Sequence, residues 1–238
     1  MITLGKTFLR PGTPRVALVV TDQDRPEDLV DQGIDLLEAR VDMFQSVDPD
    51  DLAQAFQSLR QANTPLVLTV RNDPAEGGSD RHHISEDQKI ILFKTLMPFV
   101  EAVDIEQSSP VRDDLLTLAR QHHKIVIVSS HYLQRSLSSR EMIDLLNQGE
   151  PLADIVKIAV RPRSIDDLLT LIAFTGQQRR RHIITIGLGE YGRISRLVLP
   201  MVGSLLTYSY RRQASAEGQI PLKVLQEHLQ FYCPTEES

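Results

Sequence analysis

The sequence predicts an α/β fold: a (β/α)8 TIM barrel with an N-terminal β-hairpin closing the barrel bottom. Short apolar runs rich in β-branched residues alternate along the chain with longer amphipathic stretches, the pattern of strands followed by covering helices. About eight such units fit into 238 residues, close to the usual length of one α/β barrel. No linker or change of composition divides the chain, so a single domain over residues 1–238 is expected. Repeated β-α units require parallel strands and right-handed crossovers, which leaves an open doubly wound sheet or a closed barrel. The number of units favours the barrel.

The elements follow in order. Met1–Leu9 is strand-like, and Gly12 and Pro14 then mark a turn, so this segment reads as the hairpin that plugs the N-terminal end. Strands are expected at Val16–Val20, Asp35–Val41, Leu66–Arg71, Ala102–Glu106, Lys124–Ser129, Asp154–Val160, His182–Ile186 and Ser204–Ser209. Helices are expected at Pro49–Gln61, Ser85–Phe99, Val111–His122, Ser136–Asn147, Ser164–Gly176 and Gly192–Leu199, with a last one at Pro221–Phe231. Ser85-Glu86-Asp87-Gln88 and Ser138-Ser139-Arg140-Glu141 have the spacing of capping boxes, in which a serine hydroxyl and the residue three positions on satisfy each other's backbone N–H groups.

Composition excludes several function classes. A net charge of -6 argues against a nucleic-acid partner, which would show a basic stripe. The one basic run, Arg179-Arg180-Arg181, precedes an apolar strand and reads as a solvated helix end. The N-terminus lacks the apolar segment of a signal peptide, and no stretch approaches ~18 apolar residues, so no membrane partner is expected. The sole cysteine, Cys233, has no pairing partner within the chain, which suits a reducing cytoplasm. His82-His83 and His122-His123 have neither HExxH spacing nor a cysteine cluster nearby, so no metal site is expected.

One lysine stands out. Lys157 lies inside Ala153-Asp154-Ile155-Val156-Lys157-Ile158-Ala159-Val160, a run that reads as a fully buried strand. Burial disfavours the ammonium form, so such a lysine tends towards a neutral amine able to attack a carbonyl and form an imine. The bland alternative is a lysine that reaches water or pairs with a carboxylate such as Asp154. The other strands weigh against the bland reading. In barrels of this type active sites gather at the C-terminal strand ends, and here those ends carry Glu38 and Arg40, Arg71, Asp104 and Glu106, His131 and Lys157, with Ser215 and Gln219 after the last strand. Six polar ends on one side are costly unless they bind something. Glu38 and Arg40, two apart on a strand, share a face and either pair with each other or grip substrate hydroxyls. His131 is the natural acid/base group.

Gly187-Leu188-Gly189-Glu190-Tyr191-Gly192 matches a dinucleotide fingerprint by letter, between a strand and a helix. It falls in the last quarter of the chain, and no acid follows at the ribose-binding distance, where the sequence reads Tyr208-Ser209-Tyr210-Arg211. The expectation is a seventh βα loop whose glycines let a ligand approach the backbone, with no nucleotide cofactor.

Taken together, these motifs resemble type I 3-dehydroquinate dehydratase, the Schiff-base lyase of the shikimate pathway. The likeness runs through Glu38-Ala39-Arg40-Val41-Asp42, Thr69-Val70-Arg71 with Glu76-Gly77-Gly78, Val103-Asp104-Ile105-Glu106, Ser130-His131 and Val156-Lys157-Ile158-Ala159-Val160. It continues through Gly192-Arg193-Ile194-Ser195-Arg196, Gly203-Ser204-Leu205-Leu206-Thr207 and Ala214-Ser215-Ala216-Glu217-Gly218-Gln219. The resemblance implies that Lys157 forms the imine, that His131 moves the protons and that Glu76 orients His131. It implies that Arg196 binds a carboxylate, and that Glu38, Arg40, Arg71, Ser215 and Gln219 hold the rest of 3-dehydroquinate and close the site. No cofactor is implied, and since members are often dimers a homodimer is an expected state. Departures from the pattern are Glu217, where many members carry proline, and one extra residue between Arg71 and Glu76. The rival enzyme reading is a Schiff-base class I aldolase holding a phosphorylated sugar at the loops after strands seven and eight. A rival of another class is a catalytically silent barrel that binds small acids as a sensor or scaffold.

Overall fold

In the computed structural model, which describes residues 1–30 and 32–233, two short strands form an antiparallel hairpin, β1 (Ile2–Leu4) and β2 (Thr7–Leu9). Eight parallel strands follow: β3 (Val16–Val20), β4 (Leu36–Arg40), β5 (Leu66–Thr69), β6 (Ala102–Glu106), β7 (Ile125–Tyr132), β8 (Ile155–Val160), β9 (Ile183–Gly187) and β10 (Thr207–Tyr210). A two-residue strand, β11 (Ile220–Pro221), pairs with β10. The sheet curls so that β10 lies beside β3, and a backbone bond from Leu205 N–H to Ile183 O (2.9 Å) brings its other edge to β9. Ser204 completes the seam, its hydroxyl accepting from Thr185 N–H at 3.0 Å.

Helices α1 (Pro49–Leu59), α2 (Glu86–Leu96), α3 (Arg112–Gln121), α4 (Ser139–Gly149) and α5 (Ile165–Gln177) cover the outside. The short α6 (Gly189–Gly192) precedes α7 (Ser195–Val202), and α8 (Leu222–Tyr232) ends the described chain. Both expected capping boxes form, at Ser85 with Gln88 and at Ser138 with Glu141. Asp48 caps α1 by accepting from the N–H groups of Asp50 and Asp51. The expected helix at Gly192–Leu199 is two pieces, α6 and α7. Between β3 and β4 a single 3-10 turn, Pro26–Asp28, stands where a helix would complete the unit, because that segment has too few apolar residues for a buried helical face. Strand β7 runs three residues beyond expectation, which places His131 within the strand itself.

Side chains alternate across each strand, and this sets where the chemistry lies. On β8, Val156, Ile158 and Val160 face the helices, while Ile155 and Ala159 face the barrel interior. Lys157 therefore points inward. On β6 the same alternation sends Val103 and Ile105 outward and Ala102, Asp104 and Glu106 inward. Inward residues early in the strands are apolar (Leu36, Val67, Ala102, Ile127, Ile155, Ile184), and Ile2, Leu4 and Leu9 of the hairpin pack against them. The hairpin thus seals the bottom, and the polar inward residues lie towards the top.

Leu4 is 1% exposed in this plug. Leu4→Ala is expected to cost about 2–5 kcal/mol through lost burial and a residual cavity, read by urea unfolding, while the shape of the pocket at the other end is unaffected.

Candidate active site

The inward polar residues converge on Asp104, which is 1% exposed. Its Oδ2 accepts from Lys157 Nζ at 2.8 Å. Its Oδ1 accepts from Arg71 Nη2 at 3.0 Å and from the Ser129 hydroxyl. Glu38 lies on the opposite side of the lysine, its Oε1 3.5 Å from Nζ and accepting from the Thr69 hydroxyl at 2.7 Å. The ring of Tyr208 completes the cage, with Nζ 4.3 Å from its centroid. The partner is therefore not Asp154, whose carboxylate instead accepts from Val126 N–H at the strand's start.

This cage corrects the expected charge of the lysine. Burial opposes the ammonium, but Asp104 and then Glu38 outweigh it and raise the Lys157 pKa above its ordinary value. The resting group is an ammonium ion. Asp104 responds in kind: burial alone would raise its pKa, but Lys157, Arg71 and His131 hold it well below the usual carboxylate range.

His131 sits two residues beyond the position that pairs with Lys157. Arg71 Nη1 lies 2.5 Å from Nδ1 and 3.1 Å from Nε2, and Glu76 Oε2 lies 3.4 Å from Nδ1. Guanidinium only donates, so the Arg71 contact needs a lone pair on Nδ1 and leaves the proton on Nε2. The Glu76 contact needs the opposite tautomer or the doubly protonated ring. Both neighbours compete for one nitrogen, and the shorter contact is to arginine. Burial, Arg71 and Lys157 together push the His131 pKa well below its ordinary value, so the ring is neutral at pH 7. Burial raises the pKa of Glu76, whose other oxygen accepts from the Ser108 hydroxyl. Glu76 reaches this position because its loop folds tightly back: a Cβ on Gly78 would lie 2.7 Å from Arg71 O.

Arg40 does not pair with Glu38. Its Nε and Nη2 clasp both oxygens of Asp42 at 2.9 and 2.8 Å, and Nη2 also donates to Gly77 O. Arg196 is the contrast. It is 3% exposed, and its Nε and Nη2 are buried without a hydrogen-bond partner. Burial with no carboxylate beside it pulls its pKa down to about 10, still charged at neutral pH. All nine expected residues, Glu38, Arg40, Arg71, Glu76, His131, Lys157, Arg196, Ser215 and Gln219, line one pocket with Tyr208.

Ser215 and Gln219 lie on the loop between β10 and β11 and are bonded to each other, Gln219 Nε2 donating to Ser215 Oγ at 2.9 Å. The loop is tied down at Glu217, which pairs with Arg161 at 2.8 Å and whose carbonyl accepts from Gly189 N–H. An exposed ion pair of this kind is worth about 0–1 kcal/mol, so it replaces proline's stiffness with a weak fastening. The glycines of the GxGxxG match serve this packing rather than a ligand. A Cβ on Gly192 would lie 2.3 Å from the Gly187 carbonyl carbon, so the loop closes on its own backbone. Sequence reading counted Asp104 among the polar strand ends but gave it no role, and it did not single out Thr69, Ser129 or Tyr208 as site residues. Asp104 was detectable by the argument used for Lys157, as a charge inside an apolar run.

A family model described as type I 3-dehydroquinase matches residues 18–234. The chain belongs to the type I 3-dehydroquinase family. The 3-dehydroquinate dehydratase of Methanocella arvoryzae is 33% identical over 92% of this chain and 96% of its own length. That of Thermodesulfovibrio yellowstonii is 32% identical over 91% and 94%. Among solved structures, the type I 3-dehydroquinate dehydratase of Clostridium difficile with covalent modified comenic acid superposes with a TM-score of 0.86 at 29% identity, covering 97% of this chain and 96% of that one.

Asp104→Asn removes the one carboxylate shared by two buried cations. Stability is expected to fall by about 3–5 kcal/mol, and the Lys157 pKa to fall with it. Urea unfolding reads the first effect and the pH dependence of Lys157 labelling by an amine reagent reads the second. An unchanged labelling profile means that Asp104 does not hold the ammonium.

Proposed function

We propose that this protein dehydrates 3-dehydroquinate to 3-dehydroshikimate through an imine on Lys157. The observation that carries the reading is the pairing, in one pocket, of a caged lysine with an arginine whose guanidinium has no anion. Asp42 serves Arg40, and Asp104 serves Arg71 and Lys157, whereas Arg196 is left for a ligand carboxylate. The family and its relatives' names support the same substrate.

In this reading Lys157 gives up its proton and adds to the ketone, and loss of water leaves an iminium ion. The iminium draws electrons from the adjacent carbon, so removal of its proton by neutral His131, in the tautomer with N–H on Nδ1 towards Glu76 and the lone pair on Nε2, yields an enamine rather than a bare carbanion. The protonated ring now has N–H on both nitrogens and donates from Nδ1 to Glu76. It then gives the abstracted proton to the tertiary hydroxyl, which leaves as water as the enamine electrons return. Hydrolysis of the conjugated iminium releases the product and restores the lysine. Glu76 thus holds the Nδ1 proton while Nε2 takes and returns the substrate proton. Glu38, Arg40, Ser215 and Gln219 meet the remaining hydroxyls, the last two by exchanging their mutual bond for the ligand.

The phosphorylated-sugar reading finds no support, because the loop after β9 is filled by its own backbone. The silent-barrel reading loses ground because the lysine and histidine are both present in one pocket. Incubation with 3-dehydroquinate and borohydride is expected to abolish activity and add the mass of the reduced ligand to the peptide bearing Lys157. Lys157→Ala is expected to fold and show neither turnover nor adduct. Inactivation with no mass on that peptide removes the imine mechanism.

A second copy of the chain is the partner we assign to an exposed apolar groove beside α7 and α8. Ile165, Tyr191, Ile194, Leu197 and Tyr232 line a groove of about 600 Å³, and Ile194 is 50% exposed. A homodimer would cover these apolar side chains, with Glu190 and Arg193 at the same groove. Sedimentation is expected to give twice the monomer mass for the wild type and the monomer mass for Ile194→Glu. A monomeric wild type at micromolar concentration rules the assignment out.

A further inference from the structure

Tyr208 is a large polar residue in the pocket for which the reaction above has no task. It is 4% exposed, and its ring lies against Lys157, where the ketone carbon would be bonded. Tyr208 is also the ionisable neighbour that acts on Arg196, whose field is otherwise set by burial. The phenol lines one pocket with both the lysine and the arginine.

The free nitrogens of Arg196 say what it would meet there. Nε and Nη2 are the pair with which Arg40 clasps both oxygens of Asp42. The same side-on fork on Arg196 takes both oxygens of a ligand carboxylate. With the carboxylate on Arg196 and the ketone carbon on Lys157, one polar substituent of the carboxylate-bearing carbon is still without a partner. In the substrate proposed above, on which this inference rests, that substituent is the tertiary hydroxyl that leaves.

We propose that the Tyr208 hydroxyl hydrogen-bonds to the hydroxyl on the carboxylate-bearing carbon, making Tyr208 a specificity-determining residue for α-hydroxy acids. Burial raises the phenol's pKa, so it stays neutral, both donating and accepting, and transfers no proton. It orients the departing group for His131 and discriminates between substrate and product, since the product no longer carries that hydroxyl.

Two acids without a ketone separate this contact from imine chemistry. Quinate keeps the tertiary hydroxyl and shikimate lacks it, while both keep the carboxylate. Tyr208→Phe keeps the ring over Lys157, so the unfolding midpoint is expected to hold. Calorimetric titration is expected to show quinate weakened roughly five- to tenfold, the value of one neutral hydrogen bond, and shikimate changed by less than twofold. KM for 3-dehydroquinate is expected to rise by the same factor as the quinate Kd, with the pH profile of kcat keeping its shape. Equal losses on both acids, or no loss on either, overturn the assignment while leaving the lyase reading intact. Absence of 3-dehydroquinate turnover by the wild-type chain overturns both.

Discussion

Asp104 holds two buried cations with one carboxylate, and most of the pocket's geometry follows from that sharing. Lys157 comes from β8, Arg71 from the end of β5 and Ser129 from β7, so three strands are tied to a fourth through one side chain. A buried ion network rarely adds net stability, because desolvating each charge costs several kcal/mol before the attraction repays it. What it provides is position. Lys157 cannot swing towards water while Asp104 and Glu38 flank it, and Arg71, once anchored, brings its other nitrogen to His131.

The same arrangement sets the protonation states. A lysine in an apolar hole would be neutral, but in this cage it rests as an ammonium ion, and His131, among cations, rests neutral. The cage thus keeps the order of the isolated groups and widens the gap between them, so that the ammonium stays charged while the imidazole stays neutral. In the proposed reaction this resting state holds the base in usable form and keeps the nucleophile masked. Arg196 adds a cation with no internal anion, an arrangement that is unfavourable until a carboxylate arrives. In the proposed function the substrate carboxylate supplies that partner.

Closure is handled separately and more weakly. Ser215 and Gln219 satisfy each other, and Glu217 fastens their loop through an exposed pair with Arg161. A fastening of this strength can open at little cost. The barrel wall and the hairpin plug carry the rigidity, so the loop need not.

Much of this was legible in the sequence because local patterns report burial. A strand of period two with a charge at an inward position announces a polar interior, and Lys157, Glu38 and His131 were found that way. Capping boxes at Ser85 and Ser138 are read from four residues and formed as expected. Partnership was beyond the sequence. Glu38, two residues away, was one partner the sequence offered Arg40, which is held by Asp42; Asp154, three residues away, was the bland alternative for Lys157, which is held by Asp104, fifty-three positions earlier. The glycines of Gly187–Gly192 looked ready for a ligand and instead pack on their own backbone. Composition and periodicity determine which side chains leave water, since that depends on each residue's own chemistry and its strand's alternation. Which charge meets which, and so whether the buried lysine is an amine or an ammonium ion, is decided only when the closing barrel brings distant strand ends within a few ångströms, where electrostatic energy is large.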